Sequence, residues 1–242
     1  NMNDIHRVQI GIMTFDMLPN GSKGYAYILH NEYYEVRLSQ YRSKNDNFYP
    51  IFVRIKSECL WSIGLFESWD KIKNWVNENI GEIRANKISR IDLCCHTDEL
   101  ILQSSDIDTF QGKYQVDKIY RNKRKVATME FGTRTTGKIM CRIYDKTLEV
   151  RQKKNKMWFF DIWKQKGLNI ENVWNIEFEL ARDFMKELKL ETIENVFENL
   201  KSLWEYCTNE WLVKKVLDND RMTRCSIDYR WQSIQKAFEE YE

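Results

Sequence analysis

The amino-acid sequence predicts an α+β protein: a mostly antiparallel sheet with one open polar face, helices packed on the other face, and a helical C-terminal third. Three observations carry this expectation. Strand-length segments such as Ile51–Ser57, Lys87–His96 and Val173–Leu180 alternate apolar and polar residues, the pattern of a sheet with one face open. Amphipathic helical spacing is concentrated after Glu191. Only two prolines and nine glycines are present, so no flexible linker is legible and one continuous fold is expected.

In chain order, Val8–Phe15 reads as a first strand, followed by a turn through Leu18–Gly24. Tyr25–His30 and Tyr33–Ser39 form a hairpin pattern, and a polar loop over Arg42–Asn47 leads to the strand at Ile51–Ser57. Ser68 is placed to cap a helix whose Trp69, Ile72, Trp75 and Val76 recur at helical spacing, with a stop near Gly81. Lys87–His96 is the next strand, with Arg90, Asp92, Cys94 and His96 on one face. Asp98–Lys125 is polar and reads as a short helix followed by a basic loop. Val126–Phe131 is a strand feeding a turn at Gly132 and a further strand that ends around Tyr144. A short helix is expected around Met157–Lys166, then the strand Val173–Leu180, with Trp174, Ile176, Phe178 and Leu180 facing the core and Asn175, Glu177 and Glu179 opposite. Ile193, Val196, Phe197, Leu200 and Trp204 mark an amphipathic helix, continued with a break by Leu212, Val216 and Leu217, and Trp231, Ile234 and Phe238 mark a last one. Each half runs strands then helix, an order compatible with a pseudo-twofold. Residues 1–182 are expected to form a catalytic sheet domain, and residues 183–242 a helical segment packed on it or extending it.

Hydrophobic residues at 43% suffice for a packed core, which argues against general disorder. A net charge of +2 does not by itself indicate a nucleic-acid binder. The charge is concentrated, however: Lys113, Lys118, Arg121, Lys123, Arg124 and Lys125 face a single acid, Asp117, within one run. Such a run suits a phosphate backbone, and equally a solvated loop. The six cysteines show no CxxC spacing, so neither a disulfide framework nor a zinc finger is expected, and a reducing cytoplasm fits. No signal peptide or membrane-length apolar run is expected. No nucleotide-binding GxxxxGK[ST], GxSxG or HExxH motif occurs. The three histidines (His6, His30, His96) include no pair separated by one residue, so the paired-histidine strand that holds the metal in many tyrosine nucleases is absent.

The stretch Phe131–Glu149 carries the chemistry. Arg142, Tyr144 and Lys146 alternate with Cys141, Ile143 and Asp145, so on a strand the phenol shares a face with two cations. Cations beside a phenol favour the phenolate and clamp phosphate oxygens, which suits attack on a phosphodiester. The competing reading is a half-buried strand with a polar outer face. Asp92 with His96, and Glu177 with Glu179, offer a carboxylate-rich set for a hard divalent cation, Mg2+ or Mn2+, provided their strands lie beside that of Tyr144. Such an ion would polarise the scissile phosphate.

In order and spacing, SRIDLCCH, FGTRTTGKIMCRIYDKTLE and WNIEFELAR resemble the replication initiation factor family of rolling-circle plasmids, with relatives on phages and integrative conjugative elements. The likeness extends to FYPIFVRIKSECLWSIG and spans Phe48 to Arg182. It implies that Tyr144 nicks one strand of origin DNA, single-stranded or melted at the nick, and stays linked to the 5′ phosphate. A 3′ hydroxyl is freed for a polymerase. It implies Asp92, His96 and Glu177 as metal ligands and Arg142 and Lys146 as phosphate clamps. DNA contacts are expected from Arg90, Arg134, Lys113, Lys118, Arg121, Lys123, Arg124 and Lys125. A homodimer working with host helicase and polymerase is a further implication. Two positions depart from the family pattern: His96 replaces a second aspartate, and Glu130 stands where an aromatic is usual. The alternative is a non-enzymatic DNA-binding module using the same sheet and basic loop.

Overall fold

The computed structural model describes residues 5–41 and 48–241, with the side chain of residue 154 also left aside. The loop expected over Arg42–Asn47 lies outside the described residues. The chain divides into two compact units, residues 1–85 and 86–242. This division differs from the boundary expected at 182/183: the C-terminal helices share a unit with the sheet that begins at Arg90.

The first unit is an antiparallel meander in sequential order, β1 (His6–Ile10), β2 (Met13–Met17), β3 (Tyr27–His30), β4 (Tyr34–Leu38) and β5 (Ile51–Ile55), followed by helices α1 (Ser57–Ile63) and α2 (Leu65–Asn79). The expected single strand Val8–Phe15 is in fact a hairpin. Gly11 turns the chain at φ 57°, and a Cβ there would fall 2.4 Å from Asn79 Oδ1. Ser68 does not cap α2. The helix begins one turn earlier, after Gly64, and the buried Ser68 hydroxyl donates back to the Gly64 carbonyl. Phe15, Tyr34, Val36, Ile72 and Trp75 form the core of this unit. The Trp75 indole and the Tyr34 phenol are satisfied on the carbonyls of Ile10 at 2.8 Å and Ser68 at 3.0 Å.

The second unit is built on five antiparallel strands in the order β6 (Arg90–Thr97), β11 (Trp174–Ala181), β10 (Ile139–Asp145), β9 (Lys125–Phe131) and β8 (Asp117–Asn122). A separate two-stranded antiparallel piece pairs β7 (Phe110–Gly112) with β12 (Leu212–Lys214). The insertion of β11 between β6 and β10 gives this sheet a different order from the meander, so the two units are not repeats of one topology. Strict alternation sorts the side chains. Leu93, Ile176, Phe178, Leu180, Cys141, Ile143, Met129 and Phe131 form one buried face. Trp204 on α7 (Leu200–Tyr206) and Trp211 meet Phe178 edge-on at 5.5 and 6.0 Å, and Phe110 lies 4.8 Å from Phe131. Burying each such side chain contributes about 1.5–3 kcal/mol. The Trp204 and Trp231 indoles donate to the carbonyls of Ile234 and Thr208, both at 2.9 Å, which ties α8 (Tyr229–Gln235) into this layer. Helices α5 (Arg182–Glu187) and α6 (Ile193–Phe197) complete the C-terminal part. The expected helical continuation through Leu212 is instead strand β12, reached through a wide helical turn at Cys207–Trp211.

The observed architecture is therefore the expected α+β class, with antiparallel sheets and helices against one face. The polar face is covered at one end. Helix α3 (Lys146–Gln152) starts directly after β10, and Phe159 and Trp163 of α4 (Phe159–Gln165) are buried against His96. No helix among the described residues is long and apolar enough to cross a membrane.

Candidate active site

The sheet register brings the predicted strands together. Cys94, Glu177, Arg142, Glu130 and Lys118 form one row across the five strands, and His96, Asn175, Tyr144, Thr128 and Tyr120 form the next. Asp92 lies opposite Glu179. Residues opposite one another on antiparallel strands share a face, so Tyr144, Glu177, Asp92 and Arg142 occupy the same polar surface.

The Tyr144 hydroxyl is held from three sides. It accepts from Asn175 Nδ2 at 2.8 Å and from Lys146 Nζ at 3.3 Å, and donates to Glu177 Oε2 at 3.3 Å. Lys146 reaches it from an unexpected element. The strand ends at Asp145, which turns to the other face and caps α3 by accepting from the Leu148 amide at 2.8 Å, making Lys146 the first helical residue. Lys146 is buried, with Nζ 4.8 Å from the Phe159 ring centre and 2.6 Å from Glu149 Oε2.

The electrostatics differ from those expected of a phenol between free cations. Burial, then the charges of Glu177 and Glu149, push the Tyr144 phenol above its ordinary value, against the Asn175 amide. Arg142 is bound to Glu177 and lies 3.3 Å from Glu179, and Lys146, which also donates to the phenol, is bound to Glu149, so a carboxylate offsets the charge of each cation. Burial lowers the Lys146 ammonium against the opposing pull of Glu149. Glu149 itself, although burial works the other way, is held down at about 2 by the ammonium groups of Lys146, Lys153 and Lys156.

The metal set does not assemble as expected. Asp92, His96 and Glu177 share the face, yet among the described residues no group of three His, Cys, Asp or Glu side chains could hold a metal ion. His96 Nδ1 accepts from Trp163 Nε1 at 3.0 Å, which consigns the ring proton of the neutral imidazole to Nε2 and leaves neither nitrogen a lone pair for a cation. Glu179, unlike Glu177, is almost fully buried, and three arginines hold it. Arg134 Nε donates at 2.8 Å, Arg90 lies at 3.2 Å and Arg142 at 3.3 Å. These lower its carboxyl despite burial. Asp92 is raised to about 6, mainly by burial even though a third of its side chain meets solvent; Glu177 and Glu179 add to the rise and Arg90, at 2.7 Å, opposes it. A divalent ion would have to displace arginine from these carboxylates. The donor arrangement present does not fit one.

Burial drives the His96 imidazole down to about 3, assisted by the Lys146 charge. A base whose folded value lies below its unfolded 6.5 stabilises the fold fully above that value and loses the contribution as pH falls through it. The wild type should therefore lose about 2 kcal/mol more than His96→Gln between about pH 7 and pH 4.5, at up to ~1.4 kcal/mol per pH unit. Gln keeps an acceptor for Trp163. Urea unfolding at both pH values checks this, and equal losses would contradict it.

The remaining predicted DNA contacts fall in two groups. Arg90 and Arg134 are engaged with Asp92 and Glu179, and Lys113 is paired with Glu210 at 3.0 Å over the Tyr206 ring. Lys118, Arg121, Lys123, Arg124 and Lys125 are exposed, on or between β8 and β9, and among the described residues none makes an ion pair. The expected basic loop is thus largely an edge strand and its hairpin turn. Sequence reasoning gave no role to three residues of the site, Asn175, Glu149 and Trp163, and it read Glu179 as part of the carboxylate set where the structure makes it an arginine anchor. Asn175 and Glu179 stand two positions either side of Glu177, and Glu149 three after Lys146, so spacing was the available signal.

No protein-family model matches the chain, and no curated protein matches it. Among solved structures, the chain is similar to one described as the rolling circle replication initiator protein from Geobacillus stearothermophilus, with a TM-score of 0.55 at 14% identity, covering 91% of this chain and 80% of that one. The chain has the fold of a rolling-circle replication initiator. At this identity the likeness is one of fold, and it spans both units. Within the initiator fold, the tyrosine singled out by its motif stands on a central strand of the second sheet, with the acidic strand β11 beside it.

Proposed function

We propose that the protein nicks one strand of origin DNA and transfers the 5′ phosphate to Tyr144, either initiating rolling-circle replication or starting transfer of a mobile element. The observation that carries this reading is the Tyr144 hydroxyl held by Glu177, Asn175 and Lys146 on the polar face of an initiator-like sheet. In the reaction, Tyr144 Oη attacks phosphorus and its proton passes to Glu177 Oε2, the acceptor it already faces. The phosphorus–O3′ bond breaks, a tyrosyl phosphodiester forms, and O3′ leaves as a hydroxyl after taking a proton from water. Proton loss to an adjacent carboxylate suits a phenol whose surroundings disfavour a standing phenolate.

Lys146 and Arg142 are placed to meet charge on the phosphoryl oxygens, Lys146 directly and Arg142 on release from Glu177. Asn175 positions the phenol. The test is to incubate the protein with end-labelled single-stranded DNA carrying the origin and look for a protein–DNA band that survives a denaturing gel. An adduct on the 5′ side supports the reading. Salt-sensitive binding with no adduct would leave only the DNA-binding module.

A further inference from the structure

The hairpin of β8 and β9 differs from the rest of the sheet. Strand β10 pairs with β9 only from Thr128 to Phe131, so the residues from Arg121 to Ala127 continue beyond the end of β10 as a two-stranded ribbon. Its root is braced where Arg121 Nε donates to Ser104 Oγ at 3.1 Å, and where the register shifts between Tyr120 and Arg121. Its tip is a two-residue turn with Lys123 at φ 48° and Arg124 at φ 70°. Both central residues at positive φ are what a two-residue hairpin of this twist needs, but Asn and Gly are the residues that adopt it at least cost. Two long cations occupy it here, an arrangement that local folding does not favour.

Charge sets the ribbon apart as well. Arg90, Arg134, Arg142, Lys113 and Lys146 each have a carboxylate partner; Lys118, Lys123, Arg124 and Lys125 have none among the described residues. The ribbon also has a defined place relative to the chemistry. Tyr120, Thr128 and Tyr144 share one cross-strand row, so Lys125 lies three residues, about 10 Å, along the strand from the level of the nucleophile.

The geometry points to a duplex-DNA site: the β8–β9 ribbon lies in the major groove of a double-stranded arm next to the strand presented to Tyr144. This rests on the reading of the second unit as a DNA-processing unit and deepens it by naming the form of DNA held. A two-stranded β-ribbon fits the major groove, about 12 Å wide. The tip then places Arg124 and Lys123 at base edges, where guanine O6 and N7 accept, while Lys118 and Lys125 lie towards the flanking phosphates. A single strand offers no groove to receive a two-stranded ribbon with a cationic tip.

The test uses the double variant Lys123→Asn, Arg124→Gly, which installs the favoured turn residues and removes two charges, so lost binding cannot come from a broken hairpin. A melting temperature within about 2 °C of wild type confirms the fold. Fluorescence polarisation is measured against a GC-rich 20-base-pair duplex, the same duplex with 7-deazaguanine for guanine, and single-stranded dT20, over a range of salt. Wild type is expected to bind the ordinary duplex at least about tenfold more tightly than the variant, with a salt slope steeper by about 1.8, and to bind the 7-deaza duplex more weakly than the ordinary one. The variant should not distinguish the two duplexes. Equal duplex affinity and slope for wild type and variant would overturn the proposal, as would a loss confined to dT20. Indifference of wild type to 7-deazaguanine would overturn the groove placement. These measurements are non-covalent, so failure of Tyr144 to form an adduct is a separate result and leaves them readable.

Discussion

Tyr144→Phe is expected to abolish covalent capture of DNA, lowering adduct yield by at least about a thousandfold, because no other group at this position can form the tyrosyl ester. Non-covalent binding should persist. The phenyl ring keeps its place between the Arg142 and Lys146 charges, which lie 5.7 and 5.3 Å from the ring centre. The loss of the hydroxyl leaves Asn175 Nδ2 its contact with Glu177 at 3.3 Å. The fold should therefore survive. Glu177→Gln supplies a second check on the mechanism: it removes the proton acceptor while keeping an amide of the same shape, so adduct formation should slow by about a hundredfold or more with Tyr144 still present. A Tyr144→Phe protein that still becomes linked to nicked DNA would remove Tyr144 from the mechanism. A Glu177→Gln protein at wild-type rate would remove Glu177 as the base.

Lys214→Met is expected to cost about 3–5 kcal/mol of the stability of the second unit. The ammonium is buried, 3.3 Å from Asp106 and 3.3 Å from Asp228, and donates to the Thr109 hydroxyl at 3.1 Å above the Phe110 ring. Asp228 is itself buried. Burial opposes its charge, but Arg230 and Lys214 hold it at about 2 while it caps α8 through the Arg230 amide at 3.0 Å. Deleting the lysine leaves two carboxylates facing a methionine, with Arg230 still on Asp228 and nothing in its place on Asp106. Met preserves the stem volume, so the effect reports the lost charge rather than a cavity. Urea unfolding at pH 7 measures it. A change under about 1 kcal/mol would show that Arg230 alone sustains Asp228 and that the ammonium is dispensable.

The legibility of this protein follows from what local pattern encodes. Alternation has a period of two, so each strand announces which residues share a face without reference to any other strand. That is why Asp92, Tyr144 and Glu177 were legible as face-mates of their own neighbours. The elements misread are those where a backbone conformation or a distant partner overrides propensity. Gly11 at positive φ splits an apparently continuous strand. Lys214 stands between Leu212 and Val216, in a stretch with helical spacing, and only Asp106 and Asp228, brought from elsewhere in the chain, accommodate it as a buried strand residue. The basic run at Lys118–Lys125 became an edge ribbon because β9 was there to pair with it.

By itself the sequence determined the α+β class, the open polar face, and Tyr144 as the residue to examine, since these depend on side-chain period and on residue chemistry at short spacing. Only the tertiary structure decided that β11 lies between β6 and β10, and hence that Glu177 faces both Tyr144 and Arg142. It also decided that His96 is taken up by Trp163 and that Glu179 is an arginine anchor. The reason is physical. Strand pairing and the neutralisation of charge are settled by which segments meet after the apolar face is buried, and a side chain's protonation and partners follow from that meeting.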